Sequence, residues 1–250
     1  MDVYSLFIIA VAGFLSAMVK NSVAVGAGIF LLPICSLVLP AKVALGIGAP
    51  IMLASDVIAL RYYWKQWVFS AELWRLMVPS ALGLLLGVWM IPIIPGPAFR
   101  TAVGIFGMLY ALGMFFSTSA PVRMLERVTN AVMQHRRESA VVFGLAGGIA
   151  SVLAHAGGIV WSMYLMTAHH DRRAFVGTLV LIFALTNLYK TVTYMYIGIL
   201  PLDLFLYVLA STPAIMLGSW LGNVMNKKMS STLFMRAVLL MIFCASAALL

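Results

Sequence analysis

The sequence predicts an all-α polytopic membrane protein made of two inverted repeats, each one re-entrant, broken helical hairpin followed by three transmembrane helices. Three observations lead there. Hydrophobic residues make up 64% of the 250-residue chain and charged residues only 9%, with a mean hydropathy of +1.07, a balance from which no soluble surface can be built. Two apolar stretches, 3–39 and 140–166, are interrupted by glycines and polar residues, and the breaks lie about 130 residues apart. The basic side chains, finally, collect on one face of the membrane only in this arrangement.

Met1-Asp2-Val3 lacks the positive region of a secretory signal, so the first apolar segment is expected to stay in the mature protein. That segment forms the first hairpin, 3–39, interrupted at Lys20-Asn21-Ser22 and at Gly26-Ala27-Gly28. About 20 apolar residues cross a hydrocarbon core of roughly 30 Å. The uncharged runs 43–60, 73–94 and 101–118 therefore complete a first repeat over 1–118. A polar, basic linker follows at 119–139, with Arg123, Arg127, His135, Arg136 and Arg137. The second repeat, 140–250, opens with the hairpin 140–166, broken at His155-Ala156-Gly157-Gly158, and continues with spans at 174–200, 202–222 and 232–250. Hydropathy is continuous rather than alternating over ten-residue segments, so the spans are helical and an outer-membrane barrel is excluded. An inner, plasma-type membrane is the expected location.

Loop charge decides how the broken segments run. If each crossed once, seven loop basic residues would lie on either side, a distribution without bias. If each is a hairpin that enters and leaves on one side, twelve become cytoplasmic and only Lys42 and Arg100 remain outside, with both termini outside. Three true crossings per half then invert the second copy about an in-plane pseudo-two-fold axis. Internal similarity supports the repeat. Gly26-Ala27-Gly28 matches Ala156-Gly157-Gly158, Gly46 matches Gly177, and Asp56 matches Asn187. Further on, Pro79, Gly83 and Gly87 match Pro213, Gly218 and Gly222, and Arg100 matches Arg236. Gly83xxxGly87 and Gly218xxxGly222 read as close helix packing.

Ionisable residues inside spans are costly unless paired or facing water, which makes each a candidate for function. Lys20 and Asn21 stand at the first break, His155 at the second, and Asp56 and Lys190 in the helix after each hairpin. Asn187 precedes Lys190 by three residues, on the same helical face. A hairpin tip leaves free backbone N–H groups and the positive end of a helix dipole at membrane depth, and glycines let an anion approach them. The candidate substrate-binding set is Lys20, Asn21, Ser22, Gly26, Gly28, His155, Gly157, Gly158, Asn187 and Lys190, a pocket that favours an anion. Asp56 is either an ion-pair partner of Lys20 or Lys190 or a proton carrier, and His155 shares the second role. Lys20 has a competing reading as a snorkelling interface residue, and His155 as a group bonding a broken helix end.

Other features point away from chemistry. His169, His170 and Asp171 resemble metal ligands, but Arg172 and Arg173 beside them repel a cation, so no metal or cofactor is expected. Cys35 and Cys244 lie in apolar segments and read as packing residues. The basic balance, 16 Lys+Arg against 7 Asp+Glu, orients the loops rather than marking a nucleic-acid surface. The absence of H-E-x-x-H, G-x-S-x-G and paired carboxylates argues against an enzyme. The partners expected are a small anion and the lipid bilayer, with a homo-oligomer left open.

Phe30-Leu31-Leu32-Pro33, Ala44-Leu45-Gly46, Gly147-Gly148, His155-Ala156-Gly157-Gly158 and Tyr164-Leu165 together resemble the sulfite exporter TauE/SafE family of anion transporters. The resemblance covers nearly the whole chain. It implies transport of sulfite or sulfonates such as sulfoacetate, with export by alternating access as the expectation. A passive anion channel and a proton-coupled uptake permease are the alternatives, and a membrane-embedded enzyme is a more distant one.

Overall fold

The computed structural model describes residues 3–23, 27–116, 134–166, 171–228 and 231–250. These form ten helices: α1 (Val3–Val23), α2 (Ala27–Cys35), α3 (Ala41–Tyr62), α4 (Ala71–Ile93), α5 (Gly96–Phe115), α6 (Arg136–Ala154), α7 (Gly157–Leu165), α8 (Arg172–Tyr196), α9 (Leu202–Lys228) and α10 (Ser231–Ala247). Their boundaries follow local chemistry. Pro40 and Pro95 stand immediately before α3 and α5, where a missing N–H costs nothing. Ser70 Oγ accepts from Leu73 N at 3.2 Å to cap α4, and Asp171 Oδ2 accepts from Ala174 N at 2.9 Å to cap α8.

Six of the described helices, α3, α4, α5, α6, α8 and α9, are long and apolar enough to cross a membrane. Five of them correspond to spans expected from the sequence. The sixth expected span, 232–250, is α10, whose 17 residues fall short. In its place stands α6, expected only as a hairpin arm over residues from 140 onward. It starts earlier because Arg136 reaches Glu72 of α4 (Nη1 to Oε1, 3.6 Å), and Glu72 also faces Arg75 at 3.7 Å. Arg136, Arg137 and Glu138 therefore belong to α6 and not to the linker. Most of the linker, and His169 and His170, lie outside the described residues. Arg100 and Arg236 sit exposed within α5 and α10.

At the first break the helix outlasts the expectation. The chain remains helical through Lys20, Asn21 and Ser22 to Val23. The polar side chains are satisfied without unwinding, since Asn21 Nδ2 donates back to Ala17 O at 2.8 Å and Lys20 pairs with Asp56. Gly26 lies outside the described residues, and α2 resumes at Ala27. At the second break, α6 ends where His155 adopts the left-handed conformation (φ 52°). Its N–H returns to Ser151 O at 3.1 Å and that of Ala156 to Ala150 O at 3.0 Å, closing the helix end. Helix α7 then folds back along α6, bringing Trp161 against Gly147 and Tyr164 to 6.4 Å from Phe143, ring centre to ring centre.

The centre of the bundle is the antiparallel pair α3 and α8. Gly46 lies against Ile199, Asp56 meets Asn187, and Val68 N donates to Thr178 Oγ1 at 3.1 Å near the contact of Gly177 with Gln66. Helices α5 and α10 also run antiparallel, with Gly104 against Leu249 and Gly107 against Ser246. Around them α1 packs in parallel on α9, and α6 in parallel on α4. Glycines make both parallel contacts: Gly218 and Gly222 sit on the backbone at Phe14 and Met18, as Gly83 sits on the backbone at Leu145 and Gly87 beside Ile149 and Val152. Close approach of backbones substitutes for the hydrophobic effect, which does not hold helices together in lipid.

These contacts leave no room for a methyl group. Gly83→Ala and Gly218→Ala should each destabilise the protein by about 1–3 kcal/mol, whereas Gly113→Ala, with open space at that position, should be neutral. Thermal unfolding in detergent measures the difference.

Candidate functional site

Helices α3 and α8 cross at a polar junction within an otherwise apolar bundle. Asn187 Nδ2 donates to Asp56 Oδ2 at 2.6 Å, and the other Asp56 oxygen forms an ion pair with Lys20 Nζ, brought in by α1. Lys20 also donates to Met52 O at 3.4 Å and lies 5.3 Å from the centre of the Phe183 ring. The charges are deeply buried, with Asp56 0%, Lys20 7% and Lys190 2% exposed. Buried charges persist only when paired or hydrogen-bonded. Of the two candidate lysines, Lys20 is the one that pairs with Asp56 in this arrangement.

One turn along α8 is a second cluster. Lys190 Nζ donates to Ser151 O at 3.1 Å and lies 2.9 Å from His155 Nδ1, while His155 Nε2 is 3.1 Å from Leu45 O. A carbonyl only accepts, so Nε2 carries the imidazole proton, and Nδ1 accepts from the lysine. The imidazole in this arrangement is neutral. Its two bonds, with the tight packing of Gly48 against the ring and of Gly28 against the main chain of His155, hold the left-handed backbone at His155 in place. Tyr194 Oη adds a bond to Val152 O at 2.6 Å, tying the same end of α6 to α8.

Between the clusters lies a cavity of about 40 Å³, more than the roughly 10–15 Å³ one water requires. Lys20, Gly28, His155, Gly158, Asn187 and Lys190 all line it. These are six of the ten candidate residues, contributed by both breaks and by α1 and α8. The other four are placed differently. Asn21 is turned onto its own helix, and Gly157 packs on Gly147 and Ser151, closing the second hairpin. The Ser22 side chain and Gly26 lie outside the described residues.

Sequence reasoning missed the rest of the wall. Phe183 and Thr186 share the α8 face with Asn187 and Lys190, Ser151 sits one turn before His155, and Trp161 lies on α7. The three- and four-residue spacing on α8 was the available signal for the first two. Among uniformly apolar residues, nothing in sequence distinguishes Trp161 or Phe183 from packing.

An apolar helical bundle with buried, hydrogen-bonded charges around an internal cavity defines a multi-pass membrane protein of the solute-moving class. Residues 9–249 match the family model described as Sulfite exporter TauE/SafE. The chain belongs to that family, whose members are membrane anion transporters and not enzymes. No curated protein and no solved structure matches it.

Removing one member of the Lys20–Asp56 pair strands the other, buried and without its counter-charge. Asp56→Ala should cost about 3–5 kcal/mol. Lys20→Met combined with Asp56→Ala should cost less than that single change. A thermal double-mutant cycle tests the coupling, and additive losses would dissolve the pair.

Proposed function

We propose that this protein moves small sulfur-containing anions, sulfite or sulfonates such as sulfoacetate, across the inner (plasma) membrane, with the anion held between the two helix breaks. The observation that carries this reading is Lys190. Lys20 has Asp56, but no described carboxylate lies within ion-pair distance of Lys190. An ammonium has three N–H donors, and Lys190 uses two of them, on Ser151 and His155. The cavity beside it offers room for a guest that supplies both the missing acceptor and the missing negative charge. The backbone N–H groups of Gly157 and Gly158 at the start of α7 have no acceptor within their own helix, while that of Ile159 bonds Ala156 O at 3.1 Å, and this helix end favours the same sign of charge.

Alternating access by inverted repeats is part of the proposal. In support, α3 and α8 run antiparallel, as do α5 and α10, while the pairing of α1 with α9 has a counterpart in α6 with α4. A bundle whose halves shared one orientation would make the first two pairs parallel. The expected relation also puts Asp56 and Asn187, matched positions of the two halves, in contact with each other. Re-entrant hairpins with both termini outside follow from the loop charges. Export is the favoured direction, because a monoanion leaving a cell at about 100 mV, negative inside, gains about 2.3 kcal/mol without coupling.

Two experiments test this. Thermal shift and calorimetry of the purified protein with sulfite, a two-carbon sulfonate, acetate and a neutral sulfonate analogue should show stabilisation by the sulfur anions. Lys190→Ala should weaken that binding at least tenfold and Arg61→Ala leave it unchanged, and equal effects would remove Lys190 from the site. In a variant freed of native cysteines, a thiol at Lys42 should label from outside and one at Arg173 only from inside. Labelling of both from one side would sink the inverted topology.

A further inference from the structure

Titratable groups line the cavity from three elements, Lys20 on α1, His155 at the end of α6 and Lys190 on α8, and Asp56 on α3 stands behind them, paired with Lys20. Lys20 and Asp56 cancel. His155 is neutral, because its Nε2 donates to Leu45 O and its Nδ1 accepts from Lys190. With Lys190 as an ammonium, one positive charge is left over. Of the other polar groups of α8 at this junction, Asn187 directs its amide to Asp56 and so keeps the carboxylate as an acceptor, and Thr186 donates its hydroxyl back to Ile182 O at 2.8 Å. The apolar walls, Phe183, Met52 and Ile159, offer an incoming charge no compensation.

From this balance we propose that Asp56 is a specificity-determining residue that sets the cargo's charge at minus one. The inference rests on the anion-carrier reading above and narrows it: a singly charged sulfonate or hydrogensulfite is preferred over the sulfite dianion, sulfate or a doubly charged sulfonate, sulfoacetate included. A monoanion brings the buried site to neutrality. A dianion leaves a net negative charge in a medium of low dielectric, held beside a carboxylate already engaged with the nearest second cation. Asp56 acts as a built-in anion that occupies Lys20 and withholds it from the guest.

Methanesulfonate and sulfate separate charge from size, since they differ by a methyl group in place of one charged oxygen. Calorimetric titration of the full-length protein in detergent should give methanesulfonate at least about tenfold tighter binding than sulfate. Asp56→Asn keeps the shape and frees Lys20, so its order should reverse, with sulfate the tighter ligand and the stronger thermal stabiliser. Wild-type protein that takes sulfate as well as methanesulfonate, or Asp56→Asn that keeps the wild-type order, overturns the inference while leaving the anion carrier standing. If neither anion binds wild-type protein, the carrier reading fails and takes the inference with it. Should Asp56→Asn not fold, Lys20→Met and Lys20→Met/Asp56→Asn carry the same test. The single change, with no net positive charge, should lose both anions. The double change, again with one, should bind methanesulfonate ahead of sulfate at reduced affinity, and a double variant that favours sulfate overturns the charge argument.

Discussion

The bundle is organised by the requirement that a carboxylate buried in a membrane protein be fully partnered. Asp56 draws Lys20 from α1 and Asn187 from α8 onto one point of α3. Three helices distant in sequence are registered against each other by that single group. A slide of α3 along α8 by one turn, about 5.4 Å, would break both contacts and expose charge to hydrocarbon. In a bundle where apolar packing is nearly indifferent to register, buried polar bonds of this kind specify which arrangement is adopted.

Packing around the junction is made from the opposite material. Gly83 and Gly148 bring α4 and α6 into backbone contact, and Gly218 and Gly222 do so for α9 and α1. These flush contacts hold the outer helices close enough for Lys20 and the tip of α6 to reach the central pair. The glycines near the site serve the same end at shorter range: Gly28 accommodates the main chain of His155, Gly48 its imidazole, and Gly158 lies under the Phe183 ring. Small residues define the cavity by letting large and charged ones approach one another.

Much of this was readable from sequence because lipid makes polarity expensive. Lys20, Asp56, His155, Asn187 and Lys190 stood out as polar residues in apolar runs, and each is part of the buried network. Their pairing was not readable, since Asp56 had two candidate lysine partners, Lys20 and Lys190, and Lys20 a snorkelling alternative, and only the packing of α1 and α8 on α3 decides among them. Of the two interruptions expected in the first segment, the one at Lys20-Asn21-Ser22 is helical, because Asn21 satisfies itself on Ala17 and Lys20 is satisfied across helices. The start of α6 was set too late for a related reason: Arg136 is drawn into the helix by Glu72, a residue of another element. Phe183 and Trp161 carried no signal, because an aromatic wall and an aromatic core have the same composition.

The imidazole of His155 belongs to two structures at once. Through Nε2 it is fastened to the backbone of α3, and through Nδ1 it fixes the amine of Lys190, while its own main chain is the turn that joins α6 to α7. The turn cannot draw away from α3 without giving up the bond to Leu45, and the proton on Nε2 then has no fixed acceptor. Once that proton can migrate to Nδ1, the amine loses the lone pair it donates to. The placement of a backbone turn and the hydrogen-bonding capacity of a lysine on a different helix are therefore one thermodynamic variable, so that whatever binds the amine also exerts a force on the turn.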